Sequence, residues 1–403
     1  MKPNLILLTN EFPATSANAE NWLYDELNVS HTLYNNIYII PDKKSNTNNN
    51  LPINCSVIEW NINSIQKLTL LEILNCLSIV CSDFVNYPSK VNYCKAFRYN
   101  LSLIKNLHIK AKKIAANANL FSDNTILYAY WADNLATTAC IISQKHKTLP
   151  IVTRGHGFEI FEEQTKYGVI PFRSFQYKYL SKIYADSIKG YKHLNFRNKR
   201  FDFKNAYSYV GTQNHGFGIF SKENIFTIAT CSFIRNVKRL QLMPEILKHI
   251  NFPLVWHVLG NGEDLENLKE LCMHLPKNIN VIFHGALSNE NILNFYKNNH
   301  INIFCSLSSS EGLPVSMMEA QSFGIPIMST NVGGCNEICN NETGFLIEKY
   351  FNPKDVAEKL ENFKNSAKNT IQFHEKCRLY WEQNFNAEKN YKNFAKTITE
   401  LVQ

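Results

Sequence analysis

Two successive series of short apolar runs, each run followed by a longer amphipathic stretch, constrain the fold of this sequence more than any other feature. Alternation of strand-like and helix-like segments predicts parallel sheets covered by helices. The candidate strands of the first series are residues 4–8, 36–41, 125–130, 150–153 and 182–185, and those of the second are residues 226–231, 254–259, 280–284, 301–305, 326–329 and 344–347. We therefore predict an α/β protein with two doubly wound parallel sheets.

The boundary between the two series is predicted near residue 210. Gly211, Gly216 and Gly218 cluster there with polar residues, which is typical of a link between domains. The chain of 403 residues also exceeds what one hydrophobic core usually serves. We predict a first domain over residues 1–210 and a second over residues 211–380.

The positive charge of the chain is concentrated in its first half. Residues 1–205 contain 24 basic and 15 acidic side chains, whereas the remaining residues contain 18 and 19. The formal net charge of +8 therefore belongs to the first predicted domain. An anionic partner (a membrane, a nucleic acid or a phosphorylated substrate) and an ordinary solvated surface both fit this split.

Several classes of protein do not fit the sequence. No apolar run approaches the roughly 18–20 residues of a membrane-spanning helix, and the apolar run at residues 5–8 is too short for a signal peptide. The 11 cysteines include no Cys-x-x-Cys pair, which predicts free thiols in a reducing cytosol. No G-x-G-x-x-G follows the first strand, so no dinucleotide site is predicted there.

The segment between residues 306 and 337 joins a glycine-containing loop to two glutamates. Glu311 and Glu319 are eight residues apart, little more than two helical turns, so both side chains can face the same side. Gly312 permits a ligand to approach the backbone closely, and the start of the helix-like stretch after it offers N–H groups to a phosphate or sugar oxygen. Carboxylates accept hydrogen bonds from vicinal hydroxyls. Taken alone, the two glutamates are better explained by a Glu311 that merely precedes a helix N-terminus and a Glu319 that is solvated.

This segment resembles the donor site of retaining glycosyltransferases of the GT-B fold, family 4 in particular. The resemblance is carried by S-x-x-E-G-x-P at residues 308–314, E-A-x-x-x-G-x-P at residues 319–326 and G-G-x-x-E at residues 333–337. It implies two Rossmann-like domains that face a cleft, with the nucleotide sugar bound by the second. It also implies that a C-terminal helix, residues 381–403, crosses back to the first domain.

The resemblance assigns the donor contacts residue by residue. Lys238 matches the family's phosphate-binding lysine, a compact cation suited to a diphosphate. Glu311 is expected to hold hydroxyls of the donor sugar, and Glu319 those of the ribose. The other expected donor-binding positions are Gly312, Leu313, Pro314, Gly285 and Ala286.

One position departs from the family pattern. Phe233 stands where many members carry an arginine. Either Arg235 or Arg239 is a candidate to supply that second cation.

The first half carries a second segment of resemblance, R-x-H-G-F-E at residues 154–159, similar to the family's R-x-H-G-(F/Y)-D. His156 follows a candidate strand and is flanked by glycines, so it is expected to face the donor sugar and diphosphate. Glu159, Asp133 and Glu20 are the expected acceptor-side residues. The catalytic set implied by the resemblance is His156, Glu311 and Lys238.

The resemblance implies transfer of a hexosyl or N-acetylhexosaminyl group, with retention, from a nucleotide-diphosphate sugar that is UDP-linked. The protein would position the reactants and stabilise charge on the sugar and the departing diphosphate. No metal or other cofactor is expected, since no Asp-x-Asp triplet is present.

The expected acceptor is a saccharide or lipid-linked saccharide in surface-polysaccharide or lipopolysaccharide synthesis, at the cytoplasmic face of the membrane. Lysines within residues 105–113 and basic residues interleaved with aromatic ones over residues 172–200 favour an anionic membrane surface. No nucleic-acid-binding motif accompanies them. Two alternatives remain: a nucleotide-sugar epimerase of the same fold, and a catalytically silent GT-B binding protein.

Overall fold

A computed structural model describes residues 1–12, 21–43, 51–58, 67–86, 90–165, 167–221 and 225–402. The chain forms two compact units. Unit 1 comprises Met1–Tyr209 together with Glu388–Gln403, and unit 2 comprises Val210–Ala387.

Thirteen strands and fourteen α-helices form within the described residues. In unit 1 they are β1 (Asn4–Glu11), α1 (Asn21–Ser30), β2 (Ile37–Lys43), β3 (Cys55–Val57), α2 (Leu70–Asn86), α3 (Lys90–Ala115), β4 (Thr125–Ala129), α4 (Asn134–Ser143), β5 (Ile151–Gly155), α5 (Arg173–Tyr179), β6 (Lys182–Ala185), α6 (Ile188–Arg197) and β7 (Asn205–Tyr207). In unit 2 they are β8 (Phe226–Cys231), α7 (Leu242–Leu247), β9 (Leu254–Leu259), α8 (Leu265–Cys272), β10 (Ile279–Gly285), α9 (Asn289–Asn298), β11 (Ile303–Ser306), α10 (Val315–Ser322), β12 (Ile327–Thr330), α11 (Cys335–Ile338), β13 (Gly344–Ile347), α12 (Pro353–Lys364) and α13 (Ile371–Asn384). The last helix, α14 (Ala387–Thr399), continues into unit 1.

The seven strands of unit 1 form a parallel sheet in the order β3-β2-β1-β4-β5-β6-β7. β1 pairs with β2 on one side and with β4 on the other. Its residues 5–8 are all buried apolar side chains, as expected of a parallel strand covered on both faces. Helices α2 to α5 contribute to the core on one face of the sheet, and α1 and α14 to the core on the other.

The C-terminal helix α14 is part of the core of unit 1. The ring of Phe394 packs against Tyr128 of β4 and Tyr184 of β6, with centroids 5.4 and 5.0 Å apart. Arg154 of β5 is fully buried, and its guanidinium lies 4.0 Å from the Phe394 ring centroid. The same guanidinium forms an ion pair of 2.9 Å with Glu26 of α1. Arg154 therefore links the first helix, the sheet and the last helix of this unit.

The six strands of unit 2 form a second parallel sheet in the order β10-β9-β8-β11-β12-β13. The segments by which the chain enters and leaves unit 2 lie side by side, since Thr212 and Asn386 form a parallel bridge. Trp381 of α13 is fully buried, and its Nε1 donates to Thr212 Oγ1 over 2.8 Å. Two parallel sheets covered by helices confirm the predicted α/β class.

The structure differs from the sequence analysis in the extent of the terminal helix and in two strands. Residues 381–403 were expected to form one helix, but α13 ends at Asn384 and α14 begins at Ala387. Because Trp381 is anchored within unit 2, the chain joins unit 1 only from residue 388 onward. The short strands β3 and β7 were not expected; each is only three residues long and lies at an edge of its sheet.

The aromatic residues expected to meet a membrane over residues 172–200 are largely core residues. Phe175 and Tyr177 of α5, and Phe172 just before it, are buried. The prediction was wrong for these side chains, because α5 packs into the core of unit 1: even its Arg173 is buried, and Lys178 is its one exposed residue. Within the described residues, no helix is long and apolar enough to cross a membrane, and the 11 cysteines are all free.

Candidate functional site

Two neighbouring strands of unit 2 bring a lysine and a glutamate to the same edge of the sheet. The strand order reverses between β8 and β11, which pair with each other. Ligands of open parallel sheets bind beyond the carboxyl ends of the strands at such a reversal. The loop after β8 carries Lys238 at the end of the 3-10 turn Asn236–Lys238. The loop after β11 carries Glu311.

The Lys238 and Glu311 side chains are in direct contact. Lys238 Nζ donates to Glu311 Oε1 over 2.6 Å, and the two side chains are only 20% and 12% exposed. The two loops are also joined through their backbones, since Ser309 N donates to Val237 O over 2.8 Å. The pair places one positive and one negative group, largely withdrawn from water, at the edge where open parallel sheets bind ligands.

A pair of glycines supports the loop that carries Glu311. Gly334 N donates to Gly312 O over 2.7 Å. Gly333 has a φ of +53°, and a Cβ built on it would lie 1.9 Å from Glu311 O. Any side chain at this position would therefore displace the backbone of Glu311. The G-G-x-x-E segment thus acts on the site through packing.

The start of α10 offers backbone N–H groups rather than side chains. The side chain of Leu313 is buried, and Pro314 precedes the first helical residue, Val315, without any side-chain cap. Uncapped N–H groups at a helix start attract an anion or a sugar oxygen. Leu313 and Pro314 are therefore candidate ligand contacts through this backbone only.

Glu319 lies on α10, whereas Glu311 lies before it. The helix begins at Val315, so helical periodicity relates Glu319 to this helix but does not extend to Glu311. Glu319 Oε1 accepts a hydrogen bond of 2.7 Å from Asn289 Nδ2 at the start of α9. The pKa of the Cys231 thiol at the end of β8 is raised to about 12, mainly by burial and next by the negative charge of Glu319. Glu319 therefore also faces the carboxyl end of the central strands.

A histidine pair borders the glycine turn after β10. Gly285 ends this strand with a φ of +69°, and no atom would contact a Cβ built there, so the turn is open to a ligand, as is the exposed Ala286. His257 Nδ1 and His284 Nε2 are 2.9 Å apart, and both rings pack on Phe295. Burial lowers the pKa of His257 to about 4. The sequence analysis missed this pair, and Asn289 as well.

The structure distinguishes the two arginines considered as substitutes for the missing cation. Arg239 donates to Leu307 O and to Lys349 O, each over 2.8 Å, so its guanidinium ties loops together. Arg235 is exposed, and its guanidinium makes no hydrogen bond or ion pair within the described part of the chain. Phe233 is 54% exposed. Arg235 is therefore the better candidate for the second cation.

In unit 1, His156 follows β5 in a glycine-flanked turn. Gly157 has a φ of +122°, and the His156 ring lies 4.7 Å from the Trp131 ring and 5.9 Å from the Tyr130 ring. Neither ring nitrogen has a hydrogen-bond partner among the described residues. Burial lowers the pKa of His156 to about 4, so the imidazole is neutral near pH 7.

Two carboxyl groups accompany His156. Glu159 is 1% exposed; its Oε2 accepts from His156 N over 2.8 Å. Asp133 Oδ1 accepts from Leu135 N over 2.9 Å and caps α4. Burial raises the pKa of Glu159 to about 7, and burial followed by the charge of Glu159 raises that of Asp133 to about 6. Arg173 links the turn after β4 to the segment after β5, because its guanidinium donates to Ala132 O, over 3.0 Å, and to Glu159 O.

Glu20, the third expected acceptor-side residue, lies outside the described residues. Within them, no group of three or more His, Cys, Asp or Glu side chains is arranged to hold a metal ion. No residue is therefore assigned to a metal.

Comparison with known proteins identifies unit 2. Residues 217–380 match the family described as glycosyl transferases group 1. The second unit belongs to the group 1 glycosyl transferases. The segment that aligns with WbnH of Escherichia coli, described as an O-antigen biosynthesis glycosyltransferase, is 32% identical over 133 residues, which is 33% of this chain and 36% of WbnH. The match thus spans about a third of that relative's length.

Solved structures resemble the chain over nearly its whole length. The structure of HepE from Anabaena in complex with UDP has a TM-score of 0.67 and 13% identity, and the match covers 98% of this chain and all of HepE. The lipopolysaccharide outer core galactosyltransferase WaaB in its apo form has a TM-score of 0.67 and 15% identity, with 98% and 99% covered. At such identities the likeness shows the fold alone. The chain therefore has the GT-B fold.

Proposed function

We propose that this chain is a retaining glycosyltransferase that moves a sugar from a UDP-sugar to a hydroxyl of a saccharide or lipid-linked saccharide in surface-polysaccharide synthesis. The single observation that carries the proposal is the Lys238–Glu311 pair at the strand reversal of unit 2. The UDP bound to HepE and the O-antigen role of WbnH support the donor and the pathway class.

The pair suits a ligand that carries both an anion and hydroxyl groups. Without ligand, the ammonium and the carboxylate neutralise each other in a site shielded from water. A nucleotide sugar would let Lys238 bind the diphosphate, while Glu311 accepts hydrogen bonds from hydroxyls of the sugar. Exchange of one ion pair for these two sets of contacts leaves no charge unpaired, which matters because an isolated buried charge is costly.

The residues around the pair complete the proposed donor site. Glu319 would hold the ribose hydroxyls, and the N–H groups at the start of α10 would add to the positive field at the diphosphate. Arg235 is proposed as the second cation. His156 is proposed as a neutral hydrogen-bonding group for the transferred sugar, on the strength of the resemblance of its segment.

A screen of melting temperatures tests this function. A ligand that binds the folded chain must raise the melting temperature, so we expect UDP and at least one of UDP-glucose, UDP-galactose and UDP-N-acetylglucosamine to do so. Conversion of the donor to its epimer without acceptor would indicate the epimerase. If no nucleoside diphosphate has an effect, the chain is a silent member of the fold, for which Phe233 in place of a cation is the favouring observation.

We further propose that unit 1 docks on an anionic membrane through α2 and α3. Leu70, Leu71, Leu74 and Leu77 follow one another at helical spacing on α2, and all are exposed. Residues 70–115 carry seven basic and two acidic side chains. Of the acidic ones, Asp83 is buried, and Glu72 is paired with Lys112. An exposed apolar stripe beside excess positive charge is typical of helices that lie in the surface of an anionic bilayer.

A further inference from the structure

A hydrogen bond joins the segment after β10 to α10. Asn289 Nδ2 donates to Glu319 Oε1 over 2.7 Å, although 30 residues separate the two in sequence. Asn289 is the first residue of α9, and the short loop before it begins at Gly285, whose turn is open to a ligand. The bond therefore connects that open turn to the glutamate proposed to hold the ribose.

The fold itself holds Asn289 in place. Ser288 Oγ caps α9 by accepting from Asn291 N over 3.2 Å. Further along α9, the fully buried ring of Tyr296 packs against Phe323 at the end of α10, with ring centroids 5.8 Å apart. The start of α9 is thus fixed relative to α10 in the free protein. The amide of Asn289 is therefore in position before a ligand binds.

The Glu319 side chain needs such a support. A glutamate has several rotatable bonds, and a ligand that binds an unrestrained one must bear the loss of its rotamer freedom. The carboxylate lies near the carboxyl end of β8, where burial and then the charge of Glu319 raise the pKa of the Cys231 thiol to about 12. A hydrogen bond that fixes the carboxylate at this edge of the sheet lowers the cost of binding a ligand there.

An amide suits this task because it is neutral. A carboxylate can accept about four hydrogen bonds, of which Asn289 supplies one, and the amide leaves the negative charge in place. A lysine at this position would instead neutralise the carboxylate, as Lys238 does for Glu311. A charged carboxylate that is held in one orientation can accept from both hydroxyls of a vicinal pair.

We infer that Asn289 is a positioning residue, which orients the Glu319 carboxylate for the two ribose hydroxyls of the nucleotide. The inference rests on the proposed transferase function, which assigns the ribose to Glu319. Asn289 acts through Glu319, so its removal should weaken the binding of a nucleotide only when the nucleotide carries both hydroxyls. A general weakening of the fold would affect every nucleotide alike.

The test is calorimetric titration of UDP and 2′-deoxy-UDP into the full chain. We expect wild type to bind UDP about tenfold more tightly than 2′-deoxy-UDP. Asn289→Ala should weaken UDP binding about fivefold and 2′-deoxy-UDP binding less than about twofold. Asn289→Asp should weaken UDP binding at least as much, because it places a second carboxylate beside Glu319. An acidic residue favours the start of a helix, so that loss cannot come from a weaker α9.

Two further variants and one spectrum complete the test. Asn291→Ala removes an exposed asparagine from the same turn of α9 and should leave both affinities unchanged. Asn289→Ala combined with Glu319→Ala should bind UDP no more weakly than Glu319→Ala alone, since the amide then has no carboxylate to hold. In the free protein, Glu319→Ala should shift the NMR signals of the Asn289 side-chain amide.

Equal weakening of UDP and 2′-deoxy-UDP binding by Asn289→Ala would overturn the inference, as would UDP binding that neither change at Asn289 weakens. An unchanged Asn289 amide spectrum in Glu319→Ala would overturn it without any nucleotide. If wild type binds neither nucleotide while that spectrum does shift, the proposed donor site fails, and the ribose role of the contact fails with it.

Discussion

Lys238 Nζ lies 2.6 Å from Glu311 Oε1 although 73 residues separate the two in sequence. The contact exists because each residue follows one of two paired strands, β8 and β11, at the reversal of the strand order. The ion pair satisfies both groups in the free protein. Under the proposed function it also presents both groups to the nucleotide sugar.

Lys238 and Glu311 should affect the free energy of unfolding jointly, whereas each side chain should affect ligand affinity on its own. Lys238→Ala leaves the Glu311 carboxylate unpaired and largely buried, which should cost roughly 1–2 kcal/mol of unfolding free energy. Adding Glu311→Gln should restore most of that stability without restoring affinity for UDP. Urea unfolding and a UDP titration of both variants check this. A double variant that is no more stable than Lys238→Ala would mean that the two side chains do not interact.

Gly333→Ala should disturb the site through the backbone. Its Cβ would lie 1.9 Å from Glu311 O, whereas Gly216, which also has positive φ, has open space around the same position. Strain at a positive φ alone costs about 1–2 kcal/mol, so Gly216→Ala should lose that much stability and keep its response to UDP. Gly333→Ala should lose more stability and most of the UDP-induced rise in melting temperature. Equal responses of the two variants to UDP would contradict the packing role.

Arg154 should be among the most sensitive positions of unit 1. Its guanidinium is fully buried between Glu26 and the Phe394 ring, so Arg154→Met should destabilise the unit by about 3–5 kcal/mol. Lys248→Met breaks an exposed pair of similar length with Glu245 and should cost well under 1 kcal/mol. Both are measured by urea unfolding. A small effect of Arg154→Met would mean that α14 is held by other contacts.

Glu159 and His156 should make the free energy of unfolding depend on pH in opposite directions. The pKa of Glu159 rises from its ordinary 4.5 to about 7, so its contribution is present below pH 4.5 and lost as the pH rises toward 7. The pKa of His156 falls from 6.5 to about 4, so its contribution is present above pH 6.5 and lost as the pH falls toward 4. Relative to wild type, Glu159→Gln should gain stability between pH 5 and 8, by on the order of 2 kcal/mol, and His156→Gln should gain below pH 6. Measured across this pH range, the unfolding free energies would contradict the account if both variants gained stability over wild type as the pH changed in the same direction.

Membrane docking should depend on the leucines of α2. Leu71→Ser with Leu74→Ser should reduce co-sedimentation with phosphatidylglycerol vesicles at least fivefold, because each change removes an inserting apolar group. Leu379→Ser is a matched control in unit 2, since Leu379 and Leu74 are both 53% exposed. Raised salt should weaken binding by wild type. If the two α2 substitutions leave vesicle binding intact, α2 is not the docking surface. If they instead dissociate an oligomer, the exposed leucines contact a second copy of the chain and not a membrane.

Central strands such as β1 and β11 were predictable, because residues 5–8 and 303–305 are continuous apolar runs bounded by polar residues. β3 and β7 were not, since three residues at a sheet edge produce no such run. The sequence also predicted wrongly that Phe172 and Phe175 would be accessible, because alternation of basic and aromatic residues is the same in a buried helix face and in an interfacial one.

Much of the candidate site followed from sequence, but its contacts did not. Lys238 and Glu311 were both assigned to the donor by motif, yet their ion pair required the pairing of β8 with β11. Asn289, which donates to Glu319, belongs to no motif. The contact between His257 and His284 joins two residues that are distant in the chain. A cavity beside Glu159 is lined both by Tyr99 and Leu103 of α3 and by residues between 132 and 171, so no local pattern predicts it.

Calorimetric titration of UDP into the wild-type chain and into Lys238→Ala is the most direct test of the donor site, with Lys269→Ala, at an exposed surface pair, as control. The account predicts that wild type and Lys269→Ala bind with equal affinity and that Lys238→Ala loses at least tenfold, about 1.4 kcal/mol. Equal affinity of Lys238→Ala, or no binding of UDP by wild type, would contradict it.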